Sequence, residues 1–164
     1  TSGIMVVAKT EYALAHLSKQ FFDRTTQRKY FALVWGNVAD DTGTVTGNIG
    51  RHSRERMQFE VFPDGSFGRH AVTHYKVVER FNYVTLVECK LETGRTHQIR
   101  VHGLSIGHPL VGDDKYGHNT AYKGPEARRL CLHAMRLEIP NYPVIEAPMP
   151  EDMQQVINEL RKQK

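Results

Sequence analysis

Side chains able to do chemistry are concentrated in one short stretch of the chain, residues 91–102, which reads LETGRTHQIRVH. Within eight residues it offers two guanidinium groups, two imidazoles and one carboxamide, on Arg95, His97, Gln98, Arg100 and His102. Such a set can bind phosphates, a carboxylate or the edge of a base, because it combines positive charge with several hydrogen-bond donors. A polar helix start exposed to solvent has the same composition. The residues alone therefore leave a binding site and a solvated surface equally open.

The elements predicted around this stretch would hold it at the end of a strand. Residues 83–91 alternate in parity and are rich in β-branched and aromatic side chains, which predicts a strand. Thr93 and Gly94 then interrupt the pattern as a turn would. Residues 99–106 suit a short helix that ends before Gly107 and Pro109. The polar cluster is therefore expected on a strand–turn–helix unit.

The remaining sequence predicts one domain over residues 1–164 with an α+β fold, a mainly antiparallel mixed β-sheet and a few flanking helices. Apolar or alternating runs predict further strands at residues 4–8, 27–36, 57–61, 71–79 and 130–139. We expect the strand at 4–8 to be buried, the strand at 27–36 to be buried on both faces, and the strands at 57–61 and 71–79 to form a hairpin.

Helical spacing of apolar residues predicts a helix over residues 11–23, capped by Thr10, and a closing helix that includes residues 153–160. Three segments lack such a pattern. We expect turns at residues 40–50, a loop at 118–129 and irregular structure at 140–150, which contains four prolines.

Charge favours an anionic partner, although weakly, since the net charge is +4 and the pI about 9.1. Two short segments are rich in basic residues. One holds Arg28 and Lys29, and the other holds Arg51, Arg54 and Arg56. Each segment is typical either of an exposed charged turn or of a loop that contacts phosphates.

Several kinds of site are disfavoured by the sequence. Cys89 and Cys131 lie far apart in apolar runs and are expected to be buried thiols, and no C-x-x-C or H-E-x-x-H pattern indicates a metal site. No G-x-S-x-G or P-loop pattern occurs either, and Asp113 and Asp114 are interpreted as turn or capping residues. No apolar run is long enough for a membrane span and no signal peptide is seen, so we expect a cytoplasmic protein. An enzyme acting on nucleic acid and a plain RNA-binding module both remain.

A family resemblance separates these alternatives. Residues 92–102, ETGRTHQIRVH, resemble the signature of the RluA-type pseudouridine synthases. The opening TSG followed by VVAK is similar to the end of the family's H-R-L-D-x-x-T-S-G motif, and residues 28–36 are similar to its K-x-Y strand. Further blocks follow in family order at residues 71–75, 107–110, 112–117, 132–134 and 146–148. The resemblance covers essentially the whole chain.

The resemblance implies isomerisation of uridine to pseudouridine without cofactor or metal. Its nucleophile is an aspartate that would lie three positions before Thr1, so the chain is expected to be an inactive fragment of the catalytic domain. It further implies that Tyr30 stacks on the flipped uracil and that Arg100 pairs with the aspartate. Without that aspartate, we expect Arg100 to face solvent or a bound anion.

The resemblance also implies that other residues bind the substrate. Ile99 would form an apolar wall of the base pocket, and Arg95, His97 and Gln98 would act as supports or contact the RNA backbone. Arg28, Lys29, Arg51, Arg54 and Arg56 are candidate phosphate contacts.

Residues 5–10 and the loop at residues 51–56 resemble those of the RluD-like branch, which modifies large-subunit ribosomal RNA. We therefore expect that RNA to be the substrate, and we expect the protein to be a monomer. The alternatives are the same chemistry on transfer RNA and a non-catalytic module for RNA binding or ribosome assembly. An S4-like RNA-binding domain, if the protein has one, would precede Thr1.

Overall fold

A mixed β-sheet of seven strands organises the chain in the computed structural model, which describes residues 1–117 and 126–164. The strands are β1 (Ser2–Gly3), β2 (Gln27–Trp35), β3 (Thr42–Thr46), β4 (Asn48–Arg51), β5 (Phe59–Phe62), β6 (Val72–Arg80), β7 (Val84–Leu91), β8 (Leu132–Glu138) and β9 (Ile145–Glu146). The helices are α1 (Glu11–Phe22), α2 (Gln98–Ser105) and α3 (Glu151–Lys162). The sheet order is β1-β8-β2-β7-β6-β3 with β9 also beside β8, while β4 and β5 form a separate ribbon. The α+β fold with a mainly antiparallel sheet is confirmed, because among these pairs β1–β8 alone is parallel.

Strand β2 lies at the centre of the sheet and is buried on both faces at its carboxyl end, as predicted. It pairs with β7 on one side and β8 on the other. Leu33 packs into an apolar cluster with the buried face of α3, whereas Ala32 packs with Ile99 of α2 on the opposite face. The sheet therefore separates two core layers, and Tyr30 belongs to the α2 layer.

The strand predicted at residues 4–8 is wrong. The chain pairs with β8 through β1 alone and then leaves the sheet, with Met5 82% and Val7 70% exposed. The reason lies in β8, whose edge beyond Ala134 is taken by β9. Apolar β-branched residues favour a strand, but a strand also needs a free edge to pair with.

Two further predictions are wrong in the middle of the chain. Residues 40–50, expected to be turns, contain β3 and most of β4. The expected hairpin does not form, because β5 pairs with β4 while β6 pairs with β3 and β7. Threonine, a good strand former, makes up three of the five residues of β3, and this outweighs the glycine and aspartate around it.

The three predicted helices are confirmed. Thr10 caps α1 by accepting a hydrogen bond from Ala13 N–H at 3.0 Å. Helix α3 buries Met153, Ile157 and Leu160, whereas α1 buries none of its residues fully. No helix among the described residues is long and apolar enough to cross a membrane.

Other expectations are settled only in part. Residues 140–150 contain the short strand β9 and are otherwise without regular structure apart from turns. Of the loop predicted at 118–129, residues 118–125 lie outside the described part of the chain. Cys89 and Cys131 are buried free thiols as predicted, and burial raises their pKa to about 12 and about 11.

Candidate active site

The turn between β7 and α2 is fixed by a buried carboxamide. Thr93 Oγ1 donates a hydrogen bond to Gln98 Oε1 at 2.7 Å and accepts one from Val72 N–H at 3.0 Å. Gln98 Nε2 donates to Val72 O at 3.0 Å and to Thr73 Oγ1 at 2.9 Å. Arg95 N–H also donates to Gln98 Oε1, at 3.0 Å. With only 3% of Gln98 exposed, its role is to support the turn, which is one of the two roles predicted for it.

The same network continues to His102 and defines its protonation. His102 Nε2 lies 3.2 Å from Gly47 O, so this nitrogen carries the hydrogen, and Nδ1 accepts from Thr73 Oγ1 at 2.8 Å. A second hydrogen on Nδ1 would take away the acceptor of the Thr73 hydroxyl hydrogen, while the Thr73 oxygen accepts from Gln98. Burial lowers the pKa of His102, although its hydrogen bond to Gly47 opposes this shift. His102 is therefore a neutral structural residue that ties α2 to β6.

Arg100 forms a bidentate ion pair with Asp113. Its Nε donates to Asp113 Oδ2 and its Nη2 to Oδ1, both at 2.8 Å, and the carboxylate is fully buried. The expectation that Arg100 would face solvent or an anion is wrong, since only 13% of its side chain is exposed. The physical reason is that the turn after residue 110 brings a carboxylate of this chain onto the guanidinium.

Asp113 also has the capping role predicted for it. Its Oδ1 accepts from the backbone N–H groups of Lys115 and Tyr116, each at 3.0 Å. Burial alone would raise the pKa of Asp113, but the hydrogen bonds from Arg100 and from these N–H groups lower it below its ordinary value. The carboxylate is thus ionised and fully occupied, and it is unsuited to act as a nucleophile.

Aromatic residues complete the surroundings of Arg100. Its guanidinium carbon lies 5.1 Å from the centre of the Tyr116 ring, a cation–π contact. The Tyr116 hydroxyl accepts from Phe59 N–H at 3.0 Å and hydrogen-bonds His97 Nδ1 at 2.8 Å. Burial, followed by the charges of Arg100 and Lys115, lowers the pKa of His97. His97 therefore supports this cluster as a neutral ring.

Tyr30 lines an open cavity of about 580 Å³ on the α2 face of the sheet. Helix α1 forms one wall of this cavity through Leu14, Leu17 and Phe21, and Arg28 lies on β2 beside Tyr30. The apolar stripe of α1 therefore faces a cavity and is not packed against the core. A half-buried aromatic ring next to apolar walls and a guanidinium can hold a planar, polar ring such as a nucleobase.

Arg28 is the cation of this cavity, and it is unusually placed. Its Nε is buried and has no hydrogen-bond partner among the described residues. Its guanidinium lies 5.2 Å from the centre of the Phe21 ring and passes over Gly94. Burial lowers the pKa of Arg28, as expected for a cation without a carboxylate. A buried guanidinium without a carboxylate partner favours binding of an anion.

The remaining predicted residues divide into two groups. Ile99 is 7% exposed and shares an apolar cluster with Tyr30, but it does not line the cavity that Tyr30 lines. Lys29 lies on the opposite face of the sheet, 3.2 Å from Glu88. The structure therefore brings Arg28 to Tyr30 and keeps Lys29 away from it.

The second basic segment is spread around the β4–β5 ribbon. Arg51 Nη1 donates to Arg56 O at 2.8 Å, and the guanidinium lies 5.2 Å from the Phe59 ring centre. Arg54 and Arg56 are exposed. Arg95 lines cavities together with two arginines that the sequence did not single out, Arg24 and Arg69. Asp113 as partner of Arg100 was also missed, because adjacent aspartates gave no signal beyond a turn.

Metal chemistry finds no support in the described residues. No three His, Cys, Asp or Glu side chains within residues 1–117 and 126–164 come together as metal ligands. The groups available to a ligand are instead a tyrosine ring, guanidinium groups and backbone around Gly94. This set suits a nucleotide, with a base for the ring and phosphates for the arginines.

Comparison with known proteins gives a consistent assignment. A family model described as RNA pseudouridylate synthase matches residues 1–105. An uncharacterized RNA pseudouridine synthase of Bacillus subtilis is 46% identical over 99% of this chain, and a ribosomal large subunit pseudouridine synthase D of Nitrosomonas europaea is 45% identical over 98%. The human RNA pseudouridylate synthase domain containing 1 structure is 29% identical and superposes with a TM-score of 0.72, covering 94% of this chain and 74% of that one.

The match to the curated relatives extends over part of their length. The chain spans 53% of the Bacillus protein and 48% of the Nitrosomonas protein, about half in each case. Within that span the signature residues 92–102 form the strand–turn–helix unit described above. Since the family model covers well over half of the chain, the protein belongs to the RNA pseudouridylate synthase family.

Proposed function

We propose that this chain forms the base-recognising part of an RNA pseudouridine synthase that acts on large-subunit ribosomal RNA. The observation that carries the proposal is the cavity shared by Tyr30 and Arg28, where an aromatic ring lies beside a buried cation without a carboxylate partner. The choice of RNA is supported by relatives from four bacteria that are named ribosomal large subunit pseudouridine synthase D.

The reaction would rearrange one uridine without adding or removing atoms. The bond between N1 and C1′ breaks, the uracil rotates, and a bond forms between C5 and C1′, while C5 loses a proton and N1 gains one. The target nucleotide has to leave its stack before it can enter a cavity of about 580 Å³. Tyr30 would then stack on the uracil and hold it during its rotation.

The nucleophile would be an aspartate in the segment before Thr1, as in the family motif. Arg100 would keep that carboxylate ionised through an ion pair. Asp113 occupies the Nε and Nη2 donors of Arg100, so the second carboxylate would meet Nη1. The 164-residue chain alone should therefore bind RNA without converting uridine.

The experiment compares the natural full-length protein with two variants on a large-subunit ribosomal RNA transcript, with pseudouridine measured by mass spectrometry. Arg100→Met and Tyr30→Leu should each lower kcat by about a hundredfold or more with a modest loss of RNA affinity, because Arg100 would hold the nucleophile and Tyr30 would hold the reacting base. Arg161→Met is the matched control, since Arg161 lies on α3 and pairs with Glu79 on the surface.

Three outcomes would contradict the proposal. Full activity of Arg100→Met or Tyr30→Leu would refute the roles given to these residues. RNA binding by the wild-type protein without any pseudouridine on ribosomal RNA would favour a non-catalytic module. Pseudouridine formation by the 164-residue chain alone would show that the nucleophile lies within it.

A further inference from the structure

We propose that one continuous groove, lined by unpaired arginines and two exposed phenylalanines, binds a single-stranded segment of RNA next to the Tyr30 cavity. The inference rests on the proposed function and adds the path by which the RNA reaches it. We call this surface the arginine groove. Its residues are Arg24, Arg28, Arg51, Arg69 and Arg95 with Phe22 and Phe67.

The groove is continuous because three cavities share their lining. The Tyr30 cavity and a second cavity of about 450 Å³ are both lined by Phe21 and Arg28. That second cavity and a third of about 350 Å³ are both lined by Gly94 and Arg95. Gly94 lets the Arg28 guanidinium lie close to the backbone at the first junction, because a Cβ there would lie 3.2 Å from the guanidinium carbon and closer still to Nη1. The path therefore runs from Tyr30 over Gly94 to the β4–β5 ribbon.

The arginines of the groove differ from five others on the molecule, while Arg54, Arg56 and Arg128 outside the groove also form no ion pair among the described residues. Arg80, Arg100, Arg129, Arg136 and Arg161 each form an ion pair with a carboxylate. None of the five groove arginines has a carboxylate at ion-pair distance within residues 1–117 and 126–164. One carboxylate, that of Glu92, lines the second cavity, and it lies 3.5 Å from His74. The groove thus concentrates positive charge that folding leaves unneutralised.

These charges repel one another, which argues for an external anion. Burial, and then the charges of Arg69 and Arg24, lowers the pKa of Arg95. The Arg95 Nε donates to His70 O at 2.9 Å, a contact that positions the group without neutralising it. A row of phosphates would remove the repulsion and release counterions at the same time.

The two phenylalanines identify the anion as single-stranded nucleic acid. Phe22 is 86% and Phe67 56% exposed, and each precedes a groove arginine by two positions, Arg24 and Arg69. Phe67 packs edge-on against Phe62, with the ring centres 5.2 Å apart, and both exposed rings offer surface on which a base can stack. Bases within a duplex are stacked on each other and cannot do so. The alternation of ring and guanidinium matches a strand with unpaired bases.

The test uses the natural full-length protein and a fluorescein-labelled single-stranded RNA of about 12 nucleotides, a length typical of such grooves. Binding is followed by fluorescence anisotropy over a series of KCl concentrations. Phe22→Ala and Phe67→Ala should each weaken binding about tenfold through lost stacking. Arg24→Gln and Arg69→Gln should each lower the slope of log K against log salt by about 0.7.

Matched controls lie outside the groove. Arg128→Gln removes one charge from an exposed arginine next to α3, and Tyr142→Ala removes an exposed ring that packs near His16. Both should leave affinity and salt slope unchanged. A duplex of the same sequence should show no effect of the phenylalanine substitutions.

Each remaining result overturns either the groove or the proposed function. Groove variants that bind like wild type, or phenylalanine effects that are equal for duplex and single strand, would refute the groove. Pseudouridine formation on the ribosomal RNA transcript is measured separately, so the two proposals can fail independently. A wild-type protein that modifies RNA while its groove variants bind normally refutes the groove alone. Binding that depends on both rings, without any pseudouridine, refutes the function alone.

Discussion

Asp113, the partner of Arg100, is the most completely satisfied charged group of the site. Asp113 accepts four hydrogen bonds, two from the guanidinium and two from the backbone N–H groups of Lys115 and Tyr116. A buried pair of this kind contributes little net stability compared with apolar residues, but removing one partner leaves the other charge unpaired. The residue that supports Arg100 is therefore as sensitive to substitution as Arg100 itself.

We expect Asp113→Ala to lower the free energy of unfolding by about 3 kcal/mol, because it leaves a guanidinium group and two backbone N–H donors without an acceptor. Urea denaturation measures this loss. Asp113→Asn should lose less, since its amide oxygen can still accept from the two N–H groups. Asp114→Ala is the control, because the Asp114 side chain is 90% exposed and its ion pair with Arg100, at 3.9 Å, is screened by solvent, so its change should stay within about 0.5 kcal/mol. Equal stability of the two alanine variants would contradict this account.

The partner of Arg100 could not be predicted from the sequence for a physical reason. Arg100 and Asp113 are separated by the whole of the turn after α2, and their contact depends on how that turn packs. The polar types in residues 91–102 did predict a functional region. They could not show that Gln98 and His102 point inward as supports, because a buried carboxamide and an exposed one have the same sequence signature.

At the scale of elements, α1 and α3 have the same length and opposite surroundings. Helix α3 inserts Met153, Ile157 and Leu160 into the core, whereas α1 buries no residue and borders the Tyr30 cavity. Since most helix stability in proteins comes from packing of an apolar face, α1 is held mainly by its cap and local hydrogen bonds. Helix α1, which forms one wall of the Tyr30 cavity, is thus the part of the cavity that packing holds least firmly.

We expect α1 to exchange its amide hydrogens much faster than α3 in native-state hydrogen exchange, because opening α1 exposes little additional apolar surface. Substitutions in α3 should likewise cost more stability than substitutions in α1. Met153→Ala should cost about 3 kcal/mol and Leu14→Ala less than about 0.5 kcal/mol, as measured by urea denaturation. Protection of α1 equal to that of α3 would show that α1 is packed more firmly than its burial indicates.

The sequence predicted helices better than strand pairing. Helices follow from local signals, such as the Thr10 cap and the spacing of Met153, Val156 and Ile157. Strand pairing depends on which edges are free, and residues 4–8 failed because β9 takes the edge of β8 that they would have used. The central strand β2 was predicted well, since burial on both faces leaves a continuous apolar run.

At the scale of the whole molecule, a buried neutral imidazole links stability to pH. The native pKa of His102 is lowered by burial, while in the unfolded chain it returns to about 6.5. Below that pH the unfolded state binds a proton that the native state does not. The native state is therefore at full stability above about pH 6.5 and loses stability as the pH falls toward the native pKa.

We expect the free energy of unfolding to decrease between pH 6.5 and 5, by up to about 1.4 kcal/mol per pH unit from this one residue. Urea titrations at several pH values measure the slope. His102→Gln should be less stable at pH 7 but should show a shallower slope over this range. An unchanged slope in His102→Gln would assign the pH dependence to other groups.

The contacts that Asp113 and Tyr116 make with Arg100 also have an entropic consequence. A free arginine side chain gives up about 2 kcal/mol of conformational entropy when a ligand fixes it. Here Asp113 and the Tyr116 ring fix the plane of the guanidinium during folding, while Nη1 makes no hydrogen bond among the described residues. A carboxylate that arrives at Nη1 meets a cation already held in one orientation, so more of the interaction energy is available to align the reacting groups.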